Sequence, residues 1–273
     1  MWVCLRTTAR SRLTAVAIDP FTDKALQPAL YTPGLFLGAL REIGWDPGVV
    51  PATVIYTYAR LELYLATRPD AYTANDMLGP GPGRFFLVND SDLRVGINCL
   101  GTGPSATAAQ LELQAELGVQ NVLLVGTAGG LTPDQAPGDV IVPTSAVRAD
   151  GTSDHYAPQG QPARPDAELS EKLNAHLATR GIAGQAAPTW TTAAPFRTTA
   201  AEVTYYADLG VRAVEEEAAA LFAVGEARDV RTAAALVLDG VPTAGGPWHL
   251  DLATAQQQLR ALFSATIEFA NTL

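Results

Sequence analysis

From residue 85 onward, short apolar runs alternate with segments of helical period, and this alternation constrains the fold of the 273-residue chain more than any other feature. Residues 85–88, 93–100, 121–125, 140–142, 186–192, 211–214 and 232–238 read as strands, because they are brief, apolar and bounded by turn residues. Residues 105–117, 166–180, 200–209, 215–228 and 252–271 space their apolar side chains as helices do. A strand followed by a helix and another strand implies a crossover connection. The pattern therefore predicts an α/β fold with a mostly parallel sheet covered on both faces. Ligands of such sheets bind beyond the carboxyl ends of the strands, so the strand-to-helix junctions are where chemistry is expected.

The first third is less regular. Residues 34–43 read as a helix, 52–58 as an apolar strand and 59–66 as the start of another helix. Leu78-Gly-Pro-Gly-Pro-Gly83 then forbids helix and strand alike, and divides an N-terminal segment (1–83) packed on the core from the core itself (84–273). Residues 1–18 carry three arginines and no acid up to position 18, but no continuous apolar stretch, and read as a poorly ordered tail. No apolar run approaches the ~20 residues that span a bilayer, so no membrane association is expected. With 18 basic against 28 acidic residues the net charge is −10, which repels phosphate polymers and argues against a nucleic-acid partner. Cys4 and Cys99 are too few for a disulfide framework, in keeping with a reducing cytoplasm. The three histidines show no metal-ligand spacing, and no metal is expected.

Four junctions could carry chemistry. Gly101-Thr-Gly-Pro-Ser-Ala106 joins a strand to a helix and fits Gly-x-Gly-x-x-Ala, the dinucleotide fingerprint, as well as it fits a tight turn opened by Pro104. The next strand ends Leu123-Leu-Val-Gly126 without the acid that would bind a ribose hydroxyl, which places a nicotinamide-dependent enzyme second. Gly126-Thr-Ala-Gly-Gly130 reads as a second Gly-rich turn, either a pocket floor of backbone N–H groups with the Thr127 hydroxyl or a point of close packing. Glu215-Glu-Glu217 directly follows an apolar strand. It reads as a solvated helix start or as carboxylates placed to accept sugar hydroxyls. Asp239 closes the strand 232–238, where it is either a turn former with Gly240 or an acid able to protonate a leaving group.

Taken in order, these pieces resemble the nucleoside phosphorylase superfamily, which includes purine nucleoside and uridine phosphorylases and related nucleosidases. The resemblance covers roughly residues 93–240. It runs through the junctions above and through Glu116-Leu-Gly118, Gly138-Asp-Val-Ile141, Arg148-Ala-Asp-Gly-Thr-Ser153, Trp190-Thr-Thr192 and Pro195-Phe-Arg197. It implies a single-domain α/β fold with a central mixed, partly barrel-like sheet flanked by helices. It also implies a homo-oligomer, a dimer or trimer of dimers, whose neighbouring subunit helps complete the site. The implied reaction transfers the pentose of a nucleoside, purine favoured, from the base to phosphate. No cofactor is implied beyond phosphate as co-substrate, and purine salvage is the implied setting.

By position, the resemblance gives Glu217 the ribose 2′ and 3′ hydroxyls and Asp239 the proton for the departing purine. Thr127, Ala128 and Gly129 fall between phosphate, sugar and base, and Thr102, with Gly103 beside it, covers the sugar. Glu215, Glu216 and Phe196 complete the expected substrate-binding set, and Arg197 is the leading candidate to bind phosphate, with Arg148 next. The departures are equally specific. Leu124 stands where phosphorylases have their phosphate arginine, Glu216 replaces a usual Met, and Ala194 replaces an acid. These keep open a hydrolase that passes the sugar to water, and a nucleoside-binding relative that has lost catalysis.

Overall fold

Strand positions that are apolar on consecutive residues demand burial on both faces, and the computed structural model supplies it with helices on each side of one sheet. Described in it are residues 24, 27–58, 65, 68, 70–74, 83–92, 94–243 and 248–273. The tail 1–18 and most of the expected helix 59–66 and the Gly/Pro break lie outside them.

Ten strands form the sheet: β1 (Thr53–Tyr58), β2 (Tyr72–Ala74), β3 (Gly83–Val88), β4 (Val95–Leu100), β5 (Asn121–Gly130), β6 (Val140–Ala149), β7 (Gly184–Thr192), β8 (Ala213–Glu215), β9 (Arg231–Pro242) and β10 (Trp248–Leu250). Among the described residues the helices are α1 (Pro33–Glu42), α2 (Pro104–Leu117), α3 (Ala167–Thr179), α4 (Ala200–Asp208), α5 (Ala218–Ala227) and α6 (Leu252–Ala270). Along β5, Val122 and Leu124 enter one apolar core with Leu111 of α2 and Phe222 of α5. Leu123 and Val125 enter a second core, with Leu173 of α3 and Phe263 of α6. The alternation repeats along β9, where Ala234 and Leu236 face the first core, and Ala233 and Ala235 the second.

The sheet is mixed, as the resemblance implies, rather than mostly parallel. β1 runs parallel to β4 and β5, β9 to β5, and β7 to β6 and β8. The pairings β2–β3, β3–β4, β5–β8, β6–β9 and β9–β10 are antiparallel. β5 changes partner along one edge, from β1 at Asn121–Leu124 to β8 at Gly129–Gly130, while its other edge pairs with β9. Since β9 also pairs with β6, β6 with β7 and β7 with β8, the five strands β5–β9–β6–β7–β8 close on themselves as a small barrel. β1 lies inside the sheet between β5 and β4, so strand pairing runs straight across the 83/84 boundary drawn from the Gly/Pro break.

Local chemistry sets the helix ends. Asp166 accepts the Leu169 N–H at the start of α3, Thr199 and Glu202 form a reciprocal capping box on α4, and Asp251 accepts the Thr254 N–H on α6. Two expectations shift. α5 begins at Ala218 rather than 215, because Glu215 remains in β8 and the chain bends before turning helical. β5 continues through Gly126–Gly130, so that stretch is a strand rather than a turn.

Candidate active site

The carboxyl ends of β5, β7 and β8 surround a cavity of about 390 Å³. Thr127, Ala128 and Gly129 come from the extended end of β5, and Glu215 ends β8 with Glu216 and Glu217 just beyond it. Asp239 enters from β9 through a bulge: Ala128 pairs with Leu238 and Gly129 with Gly240, leaving Asp239 as the extra residue. A bulge re-aims one side chain without ending the strand, which is how Asp239 comes to line the cavity here instead of making a turn with Gly240. Thr102 and Phe196 also line the cavity. The sequence thus brings together most of its expected set. Thr192, Pro195, Thr198, Val214, Trp248 and Leu250 join the lining without having been singled out. Thr192 and Pro195 lay within recognisable motifs, whereas nothing local marked Trp248.

The glycines at this site have separate reasons. Gly103 adopts φ +102°, which favours glycine, and its N–H donates to Glu217 Oε1 at 2.6 Å. Gly103 therefore acts on Glu217 rather than on the cavity wall. That contact also counts against the dinucleotide alternative, because a pyrophosphate at this helix start would meet a carboxylate already in place. Gly129 is extended, but a Cβ there would overlap the six-membered ring of Trp248, so the indole packs directly on the strand.

The three glutamates differ. Glu215 is buried and fully engaged: the Thr191 hydroxyl donates to Oε1, and the N–H groups of Glu217 and Ala218 donate to Oε2, each at 2.6 Å. Burial nevertheless pushes its carboxyl up to about 7, against the lowering effect of those donors, and the charge of Asp150 adds to the rise. Glu217 is buried and held by Gly103. Glu216 is half-buried, and burial alone raises its carboxyl above the ordinary range.

The basic candidates sit elsewhere. Arg197 lies exposed on the short 3₁₀ turn Pro195–Arg197 and is absent from the lining, although Phe196 and Thr198 on either side belong to it. Arg148 is consumed internally. It pairs with Asp154 at 2.7 Å, and donates to Ser153 Oγ and to the carbonyls of Ala157, Pro158 and Gln161. Leu124 is fully buried in the first core beside Tyr56, its register partner on β1. The described lining thus contains four carboxylic acids and no Arg, Lys or His. Among the described residues no group of three or more His, Cys, Asp or Glu could hold a metal ion, and no helix is long and apolar enough to cross a membrane.

Comparison with known proteins agrees with this architecture. The chain is 34% identical over 167 residues to a uridine phosphorylase of Treponema pallidum, covering 55% of this chain and 62% of that one. It is 32% identical over 150 residues to a guanosine phosphorylase of Halorubrum lacusprofundi, covering 55% and 60%. The match therefore spans about 60% of the length of these relatives. In structure it resembles purine nucleoside phosphorylase from Toxoplasma gondii in complex with immucillin-H, with TM-score 0.70 and 18% identity, over 83% of this chain and 93% of that one. It also resembles AMP nucleosidase from Bacteroides thetaiotaomicron, with TM-score 0.64 and 19% identity, over 88% and 98%. These two likenesses speak for the fold. The family model of the phosphorylase superfamily matches residues 59–270, and the chain belongs to that superfamily.

Proposed function

We propose that this protein cleaves the N-glycosidic bond of a nucleoside, with Glu217 holding the pentose and Asp239 serving the base. The observation that carries the reading is that these two carboxyl groups, contributed by different elements, line one cavity with Thr127. As the C1′–N bond stretches, positive charge grows on the sugar, and buried carboxylates stabilise it more strongly there than in water. A departing neutral base needs a proton on its nitrogen, and a protonated Asp239 at the bulge can donate it. A relative named guanosine phosphorylase supports a purine; relatives named uridine phosphorylase support a pyrimidine.

Phosphate is the acceptor the family resemblance implies, and Arg197 at the rim is the residue that could reach it. A second reading, with water as acceptor, is favoured by one specific observation. The described lining holds no cation, Leu124 is sealed in the core, and Arg148 is already saturated. Base release from inosine, adenosine and uridine, measured with and without phosphate, tests both. Phosphate-dependent release establishes transfer to phosphate, phosphate-independent release establishes hydrolysis, and no release overturns the proposal. Asp239→Asn should lower purine release by about 10²–10⁴-fold with the fold retained, and near-normal turnover would remove Asp239 from the chemistry.

A further inference from the structure

The cavity's charge is not accounted for by a neutral nucleoside. Four carboxyl groups line it with no basic side chain among the described lining, and two of the glutamates already have donors: Glu215 has Thr191 and the α5 N-terminus, and Glu217 has Gly103. Glu216 is different. It is half-buried, burial is the single influence on its carboxyl, and among the described residues no hydrogen bond or ion pair engages it. A carboxylate withdrawn from water without a partner is costly, and a cation beside it removes that cost. Two aromatic residues, Trp248 packed on Gly129 and the exposed Phe196, belong to the same lining, and aromatic rings favour a flat, positively charged partner.

We infer that Glu216 makes the cavity selective for substrate charge: nucleosides whose base carries a positive charge are accepted ahead of neutral ones, and nucleotides are rejected. This rests on the nucleoside-cleaving reading above and names the class of substrate for that site. In such a nucleoside the C1′–N bond breaks with its electron pair passing to the ring nitrogen, which becomes neutral and needs no proton. In the second reading above, water then forms the C1′–O bond and releases one proton to solvent; in the first, a phosphate oxygen forms that bond. A 5′-phosphate would instead bring about two negative charges against the same acids.

The test uses the full chain and three probes: nicotinamide riboside as the cation, inosine as the neutral nucleoside, and inosine 5′-monophosphate as the anion. Base release is read by chromatography and binding by calorimetry. We expect kcat/KM for nicotinamide riboside to exceed that for inosine about tenfold, the size of one partly screened charge pair, and inosine 5′-monophosphate to be inert. Glu216→Gln should reduce the ratio of the first two by about tenfold, Glu216→Asp should restore part of it, and high salt should shrink it in the unmodified protein. A ratio indifferent to both Glu216→Gln and salt, or release from the nucleotide as fast as from inosine, overturns the inference. Inosine cleavage without preference for the cation refutes charge selection and leaves the nucleoside-cleaving reading standing. Absence of cleavage and binding for all three probes refutes both. If Glu216→Gln does not fold, the salt dependence and the nucleotide comparison on the unmodified protein still decide.

Discussion

Replacing Glu215 with Gln separates the electrostatic cost of this buried acid from its role as a hydrogen-bond acceptor. The carboxyl titrates near 7 in the folded protein against an ordinary value of 4.5, chiefly because it is buried. Between those two pH values the native state binds more protons than the unfolded chain. Stability therefore declines as pH rises through that window and levels off above it. At ~1.4 kcal/mol for each pKa unit between the two states, the decline is about 3 kcal/mol. Gln keeps an oxygen for the Glu217 and Ala218 N–H groups. Its amide group, however, faces the Thr191 hydroxyl, whose proton then loses the carboxylate oxygen it donates to. That mismatch costs about 1 kcal/mol at every pH. The Gln variant should accordingly be about 1 kcal/mol less stable than the parent near pH 4.5, and about 2 kcal/mol more stable near pH 8. Urea unfolding followed by circular dichroism at a series of pH values measures the difference, in which contributions of distant groups cancel. A difference that stays flat within about 0.5 kcal/mol across the series would refute the assignment of the raised carboxyl to Glu215.

Other perturbations probe the rest of the site. Arg148→Ala should destabilise the fold by about 3–5 kcal/mol, since it strands three backbone carbonyls and the Asp154 carboxylate, while leaving any phosphate dependence of base release unchanged; loss of phosphate dependence in a folded variant would place Arg148 in the site after all. Gly129→Ala should push the Trp248 ring off β5, costing about 1–3 kcal/mol in thermal or urea unfolding and reducing base release. Unaltered stability would mean the indole does not pack on that strand. Glu217→Gln retains an acceptor for the Gly103 N–H but removes the charge, so base release should fall by about 10²-fold in a protein that still folds; full turnover would separate Glu217 from the sugar.

The fold was readable wherever side-chain period alone sets the backbone. The strand cores 85–88 and 121–125, the helix 166–180 with its Asp166 cap, and the closing helix after Asp251 all correspond to observed elements. Extents were less readable. β5, β6 and β9 run past their apolar cores into sequence without a continuous apolar run, because pairing with β8, β7 and β10 holds those residues extended. The short strands β2 and β10 have no apolar pattern of their own and exist through their partners β3 and β9.

By itself, the sequence determined the alternating α/β plan, the two-sided burial of the central strands, and the cluster of small residues and acids at the strand ends, because hydrophobic period and turn chemistry are local. Only the tertiary structure decided which acid does what. Glu215, Glu216 and Glu217 are adjacent and chemically identical, yet one caps a helix from within the core, one stands on the cavity wall without a partner among the described residues, and one is gripped by Gly103, 114 positions away. That Asp239 lines the cavity from within β9 likewise follows from how β9 registers against β5, since a bulge is a property of two strands and neither carries it alone.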